Sequence, residues 1–472
     1  MKWILFSPEL FFFLSIIVFL LLSMARRPNP GRDHLAAICL AAIGTVISLA
    51  GLYSEGVLFV GTYSVELFSQ VFKILLSMGL FLIVCICTDL DGIEARRHPE
   101  FYLLLFTSTL AMMMLVSAAH FLSIYVSLEL SSYSLYILVS LRKRRDFGIE
   151  AGLKYFLVGV SASAVMLFGF ALLYGSIQTT DIQQLARTLP GSIDRPVVMI
   201  GLLLTLCGFF FKLALFPFHF WAPDVYQGAP NQVAAYIATV SKVAAVAVIL
   251  RFVAVSGGKS AYLVHVLAAL SIVSMTVGNL AAIIQKDLKR LLAYSSIAHA
   301  GYVMIGILSM TPEGYAGTLF YAIAVLLMKF TSFLVVVMAA TNGGNLMISD
   351  LAGLHRRSPL LAMALMMSLF SLAGIPPTIG FTGKFLIFTA AMQKGYFTLV
   401  LIAMINVVIS LYYYLMVIKA AYLLEPAADL PALSVSVPMK LFTGVLIAAM
   451  VIAGIFPTYL MELAAAATRF LP

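Results

Sequence analysis

From residue 4 to residue 459 the chain is a succession of apolar runs of about twenty residues, joined by short connectors, and this pattern leaves few ways to fold. A helix needs about 20 apolar residues to cross the hydrocarbon layer of a membrane, where every backbone N–H and C=O must be paired within the spanning structure. Only 10% of the 472 residues are charged and 62% are hydrophobic, whereas soluble domains carry about 25% charge. The pattern predicts an all-α membrane protein with about fourteen transmembrane helices. Their windows fall near residues 4–24, 35–53, 66–88, 101–118, 120–141, 150–175, 197–217, 230–254, 261–283, 291–310, 315–340, 359–391, 396–423 and 438–459. The first run is too long for a signal-peptide core and is followed by Arg26 and Arg27, so it is expected to stay as a span.

Positive charge orients such a bundle, because Lys and Arg collect in cytoplasmic loops. Connectors after odd-numbered spans hold sixteen basic residues: Arg26, Arg27, Arg32, Arg96, Arg97, Arg142, Lys143, Arg144, Arg145, Lys286, Lys289, Arg290, Arg356, Arg357, Lys419 and Lys440. The opposite side holds seven: Lys2, Arg187, Arg195, Arg251, Lys259, Lys394 and Arg469. Both termini are therefore expected to face away from the cytoplasm. The net charge of +9 comes from short loops and not from one soluble basic surface, which argues against nucleic acid as a partner and leaves the bilayer as the surroundings. The four cysteines, Cys39, Cys85, Cys87 and Cys207, lie in apolar runs without metal-ligand spacing and read as small core hydrophobes. The loop from His219 to Asn231 carries no basic residue and is bordered by Pro217 and Pro230, so it is not expected to be an ordinary turn.

Six lysines remain in or at the edges of the spans: Lys73, Lys154, Lys212, Lys242, Lys329 and Lys384. A lysine at a helix centre costs about 2.5–3.5 kcal/mol to insert, so each needs a partner, water or a route to the interface. Lys154 is expected to extend its head group to the interface. Lys73 is compatible with either that or a functional role. Lys242 and Lys329 lie too deep to reach water, and Glu129, in the middle of the fifth span, requires a cation nearby to stay ionised. A Glu–Lys pair there would form a coupled proton site. Glu9, beside Pro8, reads as interfacial.

Two spans contain prolines that break a helix: Pro217 in the seventh, five residues after Lys212, and Pro376 with Pro377 in the twelfth, shortly before Lys384. Irregular backbone at membrane depth is tolerated where it is buried in protein or lines a hydrated cavity. The breaks correspond if spans four to eight and nine to thirteen are two inverted five-helix repeats, each with one discontinuous helix. The expected organisation is then residues 1–98 (three helices), 99–256 (first repeat), 257–424 (second repeat) and 425–472 (a last helix). In that mapping the tenth span, opposite the one with Glu129, carries His299, whose side chain titrates near neutral pH.

The segments FKLALFPFHFWAPDVY (211–226) and QKDLKRLLAYSSIAHAGY (285–302) resemble the antiporter-like membrane subunits of respiratory complex I and of multisubunit sodium/proton antiporters. The resemblance extends over nearly the whole chain. It implies that Glu129 and Lys212 form the charged pair of one half-channel, that Lys242 links the halves and that Lys384 serves the other. His299, Lys329 and His219 are matched less closely. One of the three complex I subunits of this type has a long C-terminal lateral helix, whereas this chain ends at Pro472, and a second has glutamate where this chain has Lys384. The resemblance therefore implies the third, nearest the quinone-binding end.

It further implies a bacterial inner membrane location, with a second antiporter-like subunit and small quinone-side subunits as neighbours. No P-loop, dinucleotide-binding, haem or cluster motif occurs in the sequence. NADH, FMN, iron–sulfur clusters and quinone (ubiquinone or another) are expected in partner subunits and no cofactor or metal in this one, which would make it a translocase subunit without its own redox centre. The alternatives are a subunit of a cation/proton antiporter, a relative of membrane hydrogenases, or a scaffold whose charges only fix helix registry.

Overall fold

The computed structural model describes residues 2–25, 28–143, 145–258, 260–425 and 432–469. Arg26, Arg27, Arg144 and Lys259 of the charge count lie outside these residues. The N-terminal helices are α1 (Ser7–Ser23), α2 (Pro30–Ala50), α3 (Leu67–Cys85), α4 (His98–Ser117) and α5 (Phe121–Ser140), with a short antiparallel hairpin, β1 (Gly56–Leu58) and β2 (Tyr63–Val65), between α2 and α3. Next come α6 (Arg145–Ile177), α7 (Ile182–Thr188), α8 (Pro196–Leu213), α9 (Trp221–Gly228), α10 (Asn231–Ala238), α11 (Val240–Val255), α12 (Ala261–Ile283) and α13 (Leu288–Leu308). The chain continues through α14 (Pro312–Ala339), α15 (Leu354–Arg357), α16 (Pro359–Ala373), α17 (Ile379–Gln393), α18 (Phe397–Leu423), α19 (Val437–Ile455) and α20 (Thr458–Thr468).

Local chemistry sets many of the boundaries. The side chains of Asn29, Asp181, Ser260, Asp287 and Thr311 accept a backbone N–H in the first turn of α2, α7, α12, α13 and α14. Pro30, Pro196, Pro312 and Pro359 occupy first-turn positions, where the missing N–H costs nothing.

Among the described residues, thirteen helical segments are long and apolar enough to cross a membrane. The window at 359–391, expected as one span, is two 15-residue helices, α16 and α17, each shorter than a full crossing. The eighth span is α10 followed by α11, interrupted at Thr239, whose ψ of −78° departs from helical geometry. The stretch 219–231 contains α9, an eight-residue helix. The sequence windows gave no sign of α20, because eleven residues fall below any spanning length.

Two rims are defined by contacts between connectors. On one, Arg142 bonds the carbonyls of Gln227, Gly228 and Gly343, Arg290 bonds Asp224, and Gln232 bonds the Asp89 carbonyl. This basic rim joins connectors that the sequence assigned to a single side. On the other, Ala119 bonds the Thr62 carbonyl, the backbones of His120 and Asp181 form an antiparallel bridge, and Arg251 meets Glu66. The α10–α11 segment is buried throughout and α13 nearly so, whereas α1, α2 and α19 turn most of their apolar surface outward.

Candidate functional site

Both broken helices end in the same way. Ala214 and Gly374 adopt left-handed conformations, and the next residue in each case, Leu215 or Ile375, donates back to the carbonyl of Phe210 or Phe370. This is a Schellman closure, which stops an α-helix while leaving its last carbonyls in need of donors. Lysines supply them. Lys242 Nζ donates to the Leu213 carbonyl at 2.5 Å, and Lys384 Nζ donates to those of Leu372 and Ala373 at 2.8 and 3.0 Å. A cation at a helix C-terminus also meets the negative end of the helix dipole. Aromatic faces add to the cation sites, with Lys242 5.4 Å from the Trp221 ring and Lys384 4.8 Å from that of Tyr302.

Lys212, on the last turn of α8, is buried, and among the described residues its ammonium has no hydrogen-bond partner. Glu129 on α5 is also buried and accepts a short hydrogen bond from Ser163 on α6. The Glu129 charge acts on Lys212, yet no direct ion pair joins them among the described residues. Unpaired buried hydroxyls of Tyr136, Tyr155, Thr205 and Ser241 accompany this region. His219 is buried in the turn after α8, packed on Phe220 and Phe216, and its Nδ1 has no partner among the described residues. It does not join the lysines through a hydrogen bond.

A continuous chain of polar groups joins α13, α14 and α18. Lys329 on α14 donates to Ser295 at 2.6 Å and to the Leu292 carbonyl at 2.9 Å. Ser295 meets the Tyr414 hydroxyl at 2.5 Å, Tyr414 meets His299 Nε2 at 3.3 Å, and His299 Nδ1 meets the Tyr321 hydroxyl at 2.6 Å. Between α11 and α13 lies a cavity of about 20 Å³, with Leu213, Thr239, Lys242, Ser296 and His299 in its wall. That is room for about one water molecule. Lys242 on α11 and His299 on α13 thus border one space.

Four readings of the charges change. Glu9, expected at the interface, is fully buried and pairs with Lys73 at 2.9 Å while accepting the Tyr63 hydroxyl at 2.7 Å. Lys73 therefore does not extend to the interface. Arg251, counted with the connectors, is buried on α11 and contacts Glu66 at 3.4 Å. Lys289, also counted as a connector residue, lies fully buried in the first turn of α13 and donates to the Ala229 carbonyl at 2.9 Å. Hydropathy windows hid the last two because the connector and the buried helix end are contiguous in sequence. Lys154 remains half exposed, as expected, and meets both Glu150 and Asp224 at 2.8 Å. Burial pushes the Asp224 carboxyl up, but the bonds from Lys154 and Arg290 outweigh it and hold it below the usual carboxylate range. All four cysteines are free; Cys87 is buried, and Cys39, expected in the core, is exposed on the outer face of α2.

Residues 118–410 match the family model described as NADH:quinone oxidoreductase/Mrp antiporter, transmembrane. The chain is 65% identical over its full length to NADH-quinone oxidoreductase subunit N 2 of Syntrophobacter fumaroxidans, all of which it covers. It superposes on a chain of respiratory complex I from Thermus thermophilus, solved with bound aureothin, with a TM-score of 0.84 and 33% identity, covering 97% of this chain and 99% of that one. A chain of the Mrp complex from a Dietzia species gives a TM-score of 0.88 at 20% identity, covering 100% of this chain and 98% of that one, which shows a shared fold. The chain belongs to the family of NADH:quinone oxidoreductase and Mrp antiporter membrane subunits, on the branch of oxidoreductase subunit N.

Proposed function

We propose that the chain is the subunit N of a proton-translocating NADH:quinone oxidoreductase and that protons cross it along Glu129, Lys212, Lys242, the Lys329–Ser295–Tyr414–His299 chain and Lys384. The observation that carries this reading is the shared cavity bordered by Lys242 and His299, which brings the two sets of buried titratable groups within reach of one water. In this reading Lys242 alternates between the Leu213 carbonyl and the cavity. A proton held at Lys212 in the field of Glu129 moves on when that field weakens, because a poorly solvated ammonium then loses its stabilisation.

The matching Schellman closures and lysine caps of α8 and α16 support an organisation in two inverted repeats, residues 99–256 and 257–424. They follow an N-terminal three-helix unit at 1–98 and precede a C-terminal unit at 425–472. The basic rim faces the cytoplasm of a bacterial inner membrane, with both termini on the other side. A second antiporter-like subunit and small quinone-side subunits adjoin the chain. Those partners hold the NADH, FMN, iron–sulfur and quinone sites, and this chain contributes the path without a redox centre.

The test is Glu129→Gln and Lys212→Met in the whole complex, reconstituted in vesicles, with NADH-driven proton uptake measured beside quinone reduction. The expected result is at least a tenfold lower rate of proton uptake with normal assembly. Unchanged proton yield per NADH in both variants would defeat the path.

A further inference from the structure

Tyr302 on α13 is buried and stands at a gap in the path above, since among the described residues no hydrogen bond joins His299 to Lys384. On one side its ring meets that of His299 edge to face, with centroids 5.7 Å apart. On the other, the same ring lies 4.8 Å from Lys384 Nζ. That ammonium has few other sources of stabilisation. Its hydrogen bonds go to the uncharged carbonyls of Leu372 and Ala373, and among the described residues no carboxylate pairs with it. Lys384 also borders a cavity of about 640 Å³, whose wall of mainly apolar side chains, Phe381, Phe385 and Met404 among them, offers no anion.

The Tyr302 ring is anchored by its far end. Its hydroxyl accepts from Asn279 Nδ2 on α12 at 3.2 Å, and Asn279 Oδ1 accepts from the Tyr413 hydroxyl on α18 at 3.0 Å. Asn279 Nδ2 also faces the carbonyl and Oδ1 of Asn406, at 3.1 and 3.2 Å. Tyr413 packs on Tyr414, with ring centroids 4.4 Å apart, and the Tyr414 hydroxyl meets His299 Nε2. Contacts therefore run in a closed loop from His299 through Tyr414, Tyr413, Asn279 and Tyr302 back to His299, and all five side chains are buried. A fully engaged buried polar network is rigid. It presents one fixed aromatic face to Lys384, and such a face attracts an ammonium through the ring quadrupole but has no comparable hold on a neutral amine.

We propose that Tyr302 is a positioning residue for Lys384: its face, locked by Asn279, holds the protonated head group at the end of α16 and frees the neutral one. Neither Tyr302 nor Asn279 carries a proton in this role. The inference rests on Lys384 lying on the path proposed above.

The competing role is architectural, with the ring only filling space and Asn279 only tying α12 to α18 through Asn406. Two pairs of variants separate the roles, each in the whole complex in proteoliposomes. The reading is the initial rate of NADH-driven proton uptake, with NADH oxidation by an artificial acceptor as the assembly control. In the first pair, Tyr302→Phe and Tyr302→pentafluorophenylalanine both keep a ring, but fluorine draws electron density from the face that attracts the cation. Uptake in the fluorinated variant is expected to be at least twofold below that in Tyr302→Phe. In the second pair, Asn279→Leu and Asn406→Leu both remove the Asn279–Asn406 contact, and only the first also removes the anchor of Tyr302. Uptake in Asn279→Leu is expected to be at least twofold below that in Asn406→Leu. Equal rates within either pair overturn the proposal, and if the position-302 variants do not assemble, the second pair decides. Lys384→Met in the same vesicles distinguishes the failures. Lowered uptake there with equal rates within the pairs removes only the role of the ring, whereas wild-type uptake there removes Lys384 from the path and this inference with it.

Discussion

The ammonium of Lys242 lies 2.5 Å from the carbonyl oxygen of Leu213, the last residue of α8, so that a titratable side chain on one helix closes the broken end of another. The charge state of Lys242 and the shape of the break are therefore linked. A neutral amine still donates, but it interacts less with the helix dipole. On the proposed path, proton transfer at this position would have a mechanical consequence that a lysine in a simple pore would lack.

Lys242→Arg is expected to retain a donor to Leu213 and to assemble, while proton uptake falls at least tenfold because arginine holds its proton. Lys242→Met leaves the carbonyl unsatisfied, at a cost of about 1–3 kcal/mol, and is expected to lower the melting temperature as well. Vesicle proton uptake and thermal denaturation of the complex measure the two effects separately. Wild-type uptake in Lys242→Arg would exclude Lys242 as a carrier.

The Glu9–Lys73 pair predicts a different signature, since both side chains are fully buried. Removing one partner strands the other charge and costs about 3–5 kcal/mol, whereas replacing both with apolar groups is often neutral. Glu9→Leu and Lys73→Met are each expected to destabilise the subunit strongly, and the double variant to recover most of the loss. A double-mutant cycle on thermal unfolding checks this, and additive losses would show that the pair does not act as one unit.

Two glycines in the C-terminal half should respond oppositely to alanine. A Cβ on Gly380 would lie 1.8 Å from the Ser371 carbonyl oxygen, so Gly380→Ala must push α17 away from the end of α16. At Gly444 a Cβ meets nothing, and alanine there gains up to about 1 kcal/mol from helix propensity. Assembly and melting temperature should fall in the first variant and hold or rise in the second.

Asp224 sets an acid limit on the basic rim. Its carboxyl is held below the ordinary value, so the stabilisation it gives is present above about pH 4, the unfolded value. That stabilisation is lost as pH falls through the lower folded value. Stability contributed by the Lys154–Asp224–Arg290 contacts should therefore be constant from neutral pH to about pH 5 and decline only in stronger acid. Asp224→Asn should shift the acid-unfolding midpoint upward, and an unchanged midpoint would show the contacts to be silent.

Sequence by itself determined the membrane-spanning helical class, the approximate windows, the grouping of basic connectors on one rim and the helix breaks at Pro217 and at Pro376–Pro377. Each follows from a local property: hydropathy over twenty residues, loop charge, or the missing N–H of proline. It also singled out Glu129, Lys212, Lys242, Lys329 and Lys384, because an isolated charge in an apolar window is visible without neighbours.

What such a charge touches is decided only by the tertiary structure. Lys242 meets a carbonyl 29 positions earlier, Lys329 a serine 34 positions earlier, and Glu9 a lysine 64 positions later. No window along the chain encodes those distances. Lys289 and Arg251 were read as connector charges for the same reason, since only the packing of α9 over α13, and of the β2 region against α11, shows that they are buried. In a membrane the cost of an unpaired polar group is high enough that these long-range pairings, and not hydropathy, decide where buried charges can reside.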